Sequence, residues 1–294
     1  MKRGTIDSFF KTSQGKVVKP TPTAIATEVI PKDDFEFYEE AIRAAEKLYQ
    51  TPVPKRGIVA VAKYYPGGEV VKKEGFVSIL IHTSGKNLGG DLSPYVLKNE
   101  KGHLLENIWQ FSKVYPKVTK QQIPMSKWQP DRIIWDYPEE THYQNNEVLP
   151  AYWNWRALGT ANAYAVRYPN GFHGRRACIF SLWPKVDDPT QYDKLDYIEA
   201  RKKIYCGEYF RLAPYTPHFK ELRTMLNNGV NLLIVEVDGP DPDLNYPPYN
   251  QISRKDPALV MNKETVNLLV NDRNKPFGHG FTIATLLLNG QNWL

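Results

Sequence analysis

The stretch Leu105-Glu-Asn-Ile-Trp-Gln-Phe-Ser-Lys-Val-Tyr-Pro116 predicts a helix that carries reactive groups on one face. Positions three, four and seven apart share a helix face, so one stripe holds Glu106, Trp109, Gln110 and Lys113. Pro116 lacks an amide hydrogen and ends the predicted helix. A charged stripe is typical of a solvated surface, but a Trp between the charges favours a pocket. In a pocket, Glu106 is a candidate acid/base and Lys113 a candidate amine nucleophile or charge anchor.

The composition indicates a chain with a sizeable core. The 294 residues are 41% hydrophobic and 13% aromatic. The net charge of +6 weakly favours a polyanionic partner. Cys178 and Cys206 have neither metal-ligand spacing nor a disulfide framework, which predicts a reducing, intracellular location without a bound metal or cofactor. We expect no membrane partner and no secretion, because membrane-length apolar runs and a signal-peptide core are absent.

Residues 1–30 are polar and predict a disordered tail. Within it, Thr5-Ile-Asp-Ser-Phe-Phe-Lys11 forms an apolar island of Ile6, Phe9 and Phe10. This island resembles the PCNA-interacting peptide, which inserts such side chains into a pocket of the replication sliding clamp. Arg3 replaces the usual Gln of that motif. A chance apolar cluster is the alternative, but an exposed Phe pair favours a partner that covers it.

Hydrophobic periodicity predicts a chain that contains both helices and strands. We expect further helices at 33–50, 195–211, 217–227, 263–271 and 281–288. We expect strands at 58–62, 76–81, 96–98, 164–168, 177–182 and 231–237, the last being the clearest buried strand. Residues 117–160 predict an irregular excursion with short helices.

Two polar loops are candidate contacts for phosphate. The Gly-rich loop 82–91 follows a strand, and around Ser84 and Gly85 its amides suit a phosphate, although a plain turn is the alternative. The loop 170–176 combines His173, Arg175 and Arg176 with an adjacent Phe. It suits contact with phosphate and a stacked base, or is simply a solvated basic loop.

Five segments in the same order resemble the NADAR family, which is named for its link to NAD and ADP-ribose. Gly90-Asp-Leu-Ser-Pro-Tyr95 resembles the family's opening Gly-Asp-Phe-Ser-Asn-Phe segment. Leu105–Val114 resembles its Ser-Glu-His-Tyr-Phe-Gln-Ala-x-Lys-Phe helix, with Glu, Gln and Lys at the same spacing. The later matches are Leu222–Leu226, Ile234–Glu236 followed by Asp241, and Phe277–Gly280. The departures are Pro94 for Asn, Asn107-Ile108 for His-Tyr, and long insertions between 117 and 200.

The resemblance implies a mainly helical α+β N-glycosidase domain over residues 31–294 with a small β-sheet. Such proteins cleave the bond between a ribose and a nitrogen base. By the resemblance, Glu106 is the acid/base, Lys113 the catalytic amine, and Asp241 the group that orients a ribose hydroxyl or water. The expected substrate-binding residues are Ser84, Gly85, Gly90, Ser93, Tyr95, Trp109, Gln110, Glu236, Gly278, His279 and Gly280.

The expected function is removal of ADP-ribose from guanine in DNA or RNA by a nuclear protein tethered to the sliding clamp. One alternative is an N-glycosidase for riboflavin-pathway intermediates, and another is a non-enzymatic, clamp-tethered reader of ADP-ribose. Two mechanisms remain open for the enzyme. Lys113 attacks the opened sugar to form a Schiff base, or Glu106 activates water for direct hydrolysis.

Overall fold

The computed structural model describes residues 55–81 and 90–294, which fall within one compact unit, Pro54–Leu294. Helices hold 34% and strands 23% of the described residues. The α+β prediction is therefore confirmed, whereas helices do not dominate as expected. The predicted tail, its Ile6, Phe9 and Phe10, and the helix at 33–50 lie outside the described residues. Within the described part, no helix is both long and apolar enough to cross a membrane.

A four-stranded sheet forms the centre of the larger core. Its strands are β1 (Val59–Lys63), β2 (Phe76–Leu80), β12 (Asn231–Glu236) and β13 (Leu259–Val260), in the order β13-β1-β12-β2. β12 pairs in parallel with β1 and β2, and β13 is antiparallel to β1. Because β12 has neighbours on both sides, its continuous apolar run is buried, as the sequence predicts.

The α-helices of the described residues are α1 (Leu105–Phe111), α2 (Pro150–Thr160), α3 (Tyr197–Ala200), α4 (Gly207–Leu212), α5 (Pro217–Asn227), α6 (Lys263–Asn271) and α7 (His279–Leu287), with a π-helical segment, Arg201–Cys206, between α3 and α4. Of these, α5 and α7 pack on the four-stranded sheet. Thr216 caps α5 and Asn262 caps α6 through their side chains, which satisfies amides that the first turn leaves unpaired. Both helices have the predicted bounds.

The region after α1 is rich in strands, so the irregular course predicted for 117–160 is wrong, whereas the short helix expected within it is present as α2. The strands are β3 (Lys113–Val114), β4 (Lys117–Val118), β5 (Gln121–Ser126), β6 (Gln129–Tyr137), β7 (Glu140–Thr141), β8 (Tyr143–Gln144), β9 (Glu147–Val148), β10 (Phe180–Pro184) and β11 (Tyr192–Leu195). They form a three-stranded sheet, β11-β10-β3, and three two-stranded ribbons. The sequence predicted one small sheet, whereas the described residues form several. The predicted strand at 164–168 is irregular, and 96–98 contributes only an isolated bridge from Lys98 to Leu104.

Helix α1 lies between two hydrophobic cores. Leu105 belongs to the core around the four-stranded sheet. Phe111 belongs to a second, aromatic core with Trp135 and Trp155, which the strands after α1 and helix α2 build. The helix is shorter than predicted, because Lys113 and Val114 leave it to pair with β10. The site described next occupies the space beside this helix.

Candidate active site

A cavity of about 920 Å³ opens beside α1. Five of the expected site residues line it from the segment 95–113, and four more line it from elsewhere in the chain. The five are Tyr95, Glu106, Trp109, Gln110 and Lys113. Gly278 and His279, at the start of α7, line it from another side, and Arg175 and Arg176 line it as well. The volume is within the range of pockets that bind small molecules and cofactors, about 300–1,000 Å³.

A chain of hydrogen bonds joins the acid and the amine. Lys113 Nζ donates to Gln110 Oε1 at 2.8 Å, and Gln110 Nε2 donates to Glu106 Oε1 at 2.9 Å. Gln110 thus fixes the carboxyl and the amine at the two ends of one amide. Lys113 lies on β3 rather than on the predicted helical stripe, yet its side chain reaches back to α1.

Burial shifts the pKa of Glu106 and the pKa of Lys113 toward the neutral pH range. Desolvation raises the pKa of the Glu106 carboxyl, although the hydrogen bond from Gln110 and the charge of Lys113 oppose the rise. Desolvation also lowers the pKa of Lys113 to about 8, with the charge of Glu106 opposing the fall. The two groups therefore titrate as a coupled pair. A general acid must hold a proton that it can give, and an amine nucleophile must be neutral, so these two shifts suit the roles of Glu106 and Lys113.

Aromatic rings form one wall of the cavity. The Trp109 ring lies 5.7 Å from the Tyr205 ring and 6.4 Å from the Tyr197 ring, measured between centroids. Lys113 Nζ is 4.4 Å from the centroid of Trp109. Tyr95 reaches the cavity from a turn in which Ser93 Oγ accepts a hydrogen bond from the Tyr95 amide at 3.2 Å. These faces suit a flat base.

Cationic side chains that the sequence did not single out also line the cavity. Arg167 lies beside Asp238, with a 3.9 Å ion-pair distance, and Arg273 and Lys275 come from the loop before α7. Asn107, buried in α1, places Arg167, because its side chain accepts from the Val166 amide at 2.8 Å. No local pattern marks these residues, since they come from separate loops. Their charges suit the phosphates of a nucleotide.

Buried Arg201 holds the loop that carries Arg273 and Lys275. Its guanidinium donates to the carbonyls of Val270 and Asp272, both at 2.9 Å, and to that of Lys275 at 2.8 Å. It lies in the π-helical segment, a feature that is frequent at functional sites. Arg201 also lines the cavity.

Several expected residues lie elsewhere. Asp241 is not part of the cavity lining; it binds Lys275 Nζ at 3.2 Å and Lys63 Nζ at 3.5 Å. The carboxylate that follows β12 into the cavity is Asp238. Ser84 and Gly85 lie outside the described residues. Gly90 starts a short 3-10 turn, and exposed His173 is stacked edge-on against Phe172.

Glu236 is fully buried behind the cavity and does not line it. Its Oε1 accepts from the Phe281 amide at 3.2 Å, and its Oε2 lies 3.5 Å from His279 Nδ1. A Cβ at Gly278 or Gly280 would lie 2.6 or 2.7 Å from this carboxylate. The two glycines thus admit the Glu236 side chain to the N-terminus of α7.

Comparison with protein-family models, with curated proteins and with solved structures gives no match for this chain. Over the described residues, no group of His, Cys, Asp and Glu is arranged to hold a metal ion.

Proposed function

We propose that the protein is an N-glycosidase that removes ADP-ribose from guanine in nucleic acid. The observation that carries this proposal is the Glu106–Gln110–Lys113 chain of hydrogen bonds at the wall of a cavity of about 920 Å³. The NADAR resemblance supplies the reaction class, because its Glu, Gln and Lys fall on these three residues.

The lining fits the parts of ADP-ribosylated guanine. Trp109, Tyr95 and Tyr205 offer ring faces to the bases, and Arg167, Arg273 and Lys275 offer charge to the diphosphate. Glu106 and Lys113 are the groups for the ribose carbon at which the bond breaks.

The favoured route passes through a lysine adduct. Protonated Glu106 gives its proton to the leaving nitrogen as the C1–N bond breaks, and the neutral amine of Lys113 forms the new bond to C1. The bond from C1 to the ring oxygen then breaks, the ring oxygen takes the proton that the amine gives up, and the opened sugar is left as a Schiff base on Lys113. Attack by one water molecule on C1 restores the amine and frees ADP-ribose. In the alternative route Glu106 activates water directly, and Lys113 contributes only charge.

The test is release of ADP-ribose from an oligonucleotide that carries it on guanine. We expect Glu106→Gln to slow release at least about 100-fold, since a general acid contributes about 10²–10⁴-fold. Binding of ADP-ribose, followed by calorimetry, stays within a few-fold of wild type because glutamine keeps the shape. Glu100→Gln is the matched control, since Glu100 is exposed and pairs with Arg211 outside the cavity.

Normal turnover by Glu106→Gln would remove Glu106 from the mechanism. Preferred cleavage of riboflavin-pathway intermediates by the wild type would instead favour the metabolite glycosidase. Binding of ADP-ribose without any turnover would favour the reader.

The proposed partner is the sliding clamp, bound through Ile6, Phe9 and Phe10, with a nuclear location. The sequence pattern of the tail supports this partner. A clamp tether would bring the cavity to nucleic acid rather than to a free metabolite.

A further inference from the structure

The β5–β6 hairpin has an exposed strand at its distal end. In a strand packed on a core, alternate residues are buried. Residues 129–133 of β6 are instead all exposed, whereas Trp135 and Tyr137, nearer the base, are buried. The distal half of β6 is therefore open to solvent on both of its faces, while residues 123–126 of β5 are partly buried.

The turn of this hairpin presents a Trp. Trp128 is 81% exposed, and Lys127 Nζ lies 4.7 Å from its ring centroid. Farther down the hairpin, the Arg132 guanidinium lies 5.2 Å from the ring centroid of Tyr164, which is also exposed. Lys127 lies against the Trp128 ring, and the Arg132 guanidinium also donates a hydrogen bond to the Tyr164 hydroxyl at 2.5 Å. The exposed face of the Trp128 ring remains available to a stacking partner.

The same arrangement continues to the cavity. Arg167 and Arg175 lie 4.8 and 5.1 Å from the Tyr168 centroid, and Arg167, Tyr168 and Arg175 line the cavity. Arg175 also lies 3.5 Å from the Phe172 centroid. At about 3.3 Å per residue, Tyr164 is at most about 10 Å from Arg167 along the chain, and Trp128 at most about 13 Å from Arg132.

Hydrogen bonds hold this path together. The side chain of Asn162 donates to the Ile134 carbonyl at 2.8 Å, which ties β6 to the segment before Arg167. The Thr119 amide donates to Asn170 Oδ1 at 2.9 Å, which ties the base of the hairpin to the basic loop. The cation–aromatic pairs form one path, which we call the aromatic track: Lys127–Trp128, Arg132–Tyr164, Arg167–Tyr168 and Arg175–Phe172.

We propose that the aromatic track binds single-stranded nucleic acid and leads it to the cavity. This inference deepens the proposed function and depends on it for the substrate at the cavity end. Aromatic faces stack on unpaired bases of any sequence, and the adjacent cations take the phosphates. Paired bases keep their faces covered, so the track favours single strands over duplex.

The test uses the full-length protein and an unmodified, fluorescent single-stranded oligonucleotide of about 10 nucleotides. We expect Trp128→Ala to raise the Kd about tenfold or more, because one base–aromatic stack is lost. Lys127→Gln with Arg132→Gln should lower the slope of log Kd against log salt by about 1.4, or 0.7 per lost phosphate contact. Tyr215→Ala is the matched control, since Tyr215 is 77% exposed and is not part of the track.

Unchanged binding by Trp128→Ala, an equal loss in Tyr215→Ala, or equal binding of duplex would overturn the aromatic track. Trp128-dependent binding to anionic vesicles without binding to the oligonucleotide would also overturn it. ADP-ribosylated guanosine, which is too small to reach the hairpin, separates this inference from the proposed function. Trp128→Ala should release ADP-ribose from this nucleoside at the wild-type rate. If the wild-type protein releases ADP-ribose from neither the nucleoside nor the oligonucleotide, the proposed function itself is contradicted.

Discussion

The amide of Gln110 controls how Glu106 and Lys113 share protons. An amide oxygen accepts and an amide nitrogen donates, so the contacts of Gln110 suit an amine at one end and a carboxylate at the other. Each charge stabilises the other, while burial disfavours both. The pair therefore loses its charges together when a proton passes from the amine to the acid.

Substitution of Lys113 and trapping of its adduct test the Schiff-base route. With a pKa of about 8, its neutral fraction grows about tenfold per pH unit below that value. We therefore expect kcat of the wild type to fall at acid pH, where Lys113 is protonated, and to fall again at alkaline pH, where Glu106 has lost the proton that it gives to the leaving group. Lys113→Arg keeps the charge but forms no Schiff base, so it should be inactive at every pH. Borohydride added during turnover should trap ADP-ribose on Lys113, which peptide mass spectrometry detects.

Substantial activity in Lys113→Arg, together with no trapped adduct in the wild type, would exclude the Schiff base. Direct hydrolysis with Glu106 as base would then be the route.

Glu236 links stability to pH. Burial raises the pKa of its carboxyl from 4.5 to about 8, despite the amides of Gly280 and Phe281 and with help from the charge of Asp238. Between these pH values the folded protein holds a proton that the unfolded chain releases. The contribution to stability is thus full below about pH 4.5 and is lost as pH rises through about 8, at up to about 1.4 kcal/mol per pH unit.

Glu236→Gln carries no titrating group at this position. We expect its free energy of unfolding, measured by urea titration, to fall less than that of the wild type between pH 5 and pH 9. At pH 9 the variant should be the more stable of the two. Glu264→Gln, at an exposed position of α6, is the control and should follow the wild type. Parallel curves for Glu236→Gln and the wild type would show that the carboxyl titrates normally.

At the scale of elements, the contact of α1 with α2 sets where the reactive helix lies. Gly159 of α2 packs on the Phe111 ring, and a Cβ there would overlap that ring. Phe111 also lies 4.6 Å from Trp155 and 4.9 Å from Trp135 between ring centroids, so it has little room to move.

Gly159→Ala should therefore destabilise the protein by about 1–3 kcal/mol through overpacking, as measured by urea denaturation. Gly207→Ala is the matched control. It is also helical, but its Cβ would meet only the Lys202 carbonyl oxygen, at 3.6 Å. There alanine should be neutral or stabilising by up to about 1 kcal/mol. A Gly159→Ala protein as stable as the Gly207→Ala protein would contradict the tight contact.

At the scale of the whole molecule, the proposed function uses the cavity for the reaction and the N-terminal segment for binding the clamp. Phe9→Ala with Phe10→Ala should weaken clamp binding by several kcal/mol, since each buried Phe contributes about 1.5–3 kcal/mol. Activity on a short oligonucleotide should stay unchanged, because the clamp is absent from that assay. Calorimetric titration of PCNA with a peptide of residues 1–20 measures the affinity. No binding by the wild-type peptide would remove the argument for a clamp partner.

Local pattern determined those parts of the protein that depend on near neighbours. The bounds of α5 and α6 follow from apolar periodicity with a polar cap, and β12 follows from its continuous apolar run. The helical spacing of Glu106 and Gln110 brought these two side chains together for the same reason, whereas Lys113 reaches back to Gln110 from the strand that follows α1.

Only the tertiary structure decided what depends on distant pairing. Lys113 and Val114 are strand rather than helix because β10, more than 60 residues later, supplies their hydrogen-bond partners. The strands after Pro116 are short, and such segments take their conformation from the strands beside them. Arg167, Asp238, Arg273 and Lys275 meet at the cavity from three separate loops. No periodic pattern in a single sequence predicts that these residues come together, because the position of each loop depends on the cores on either side of α1.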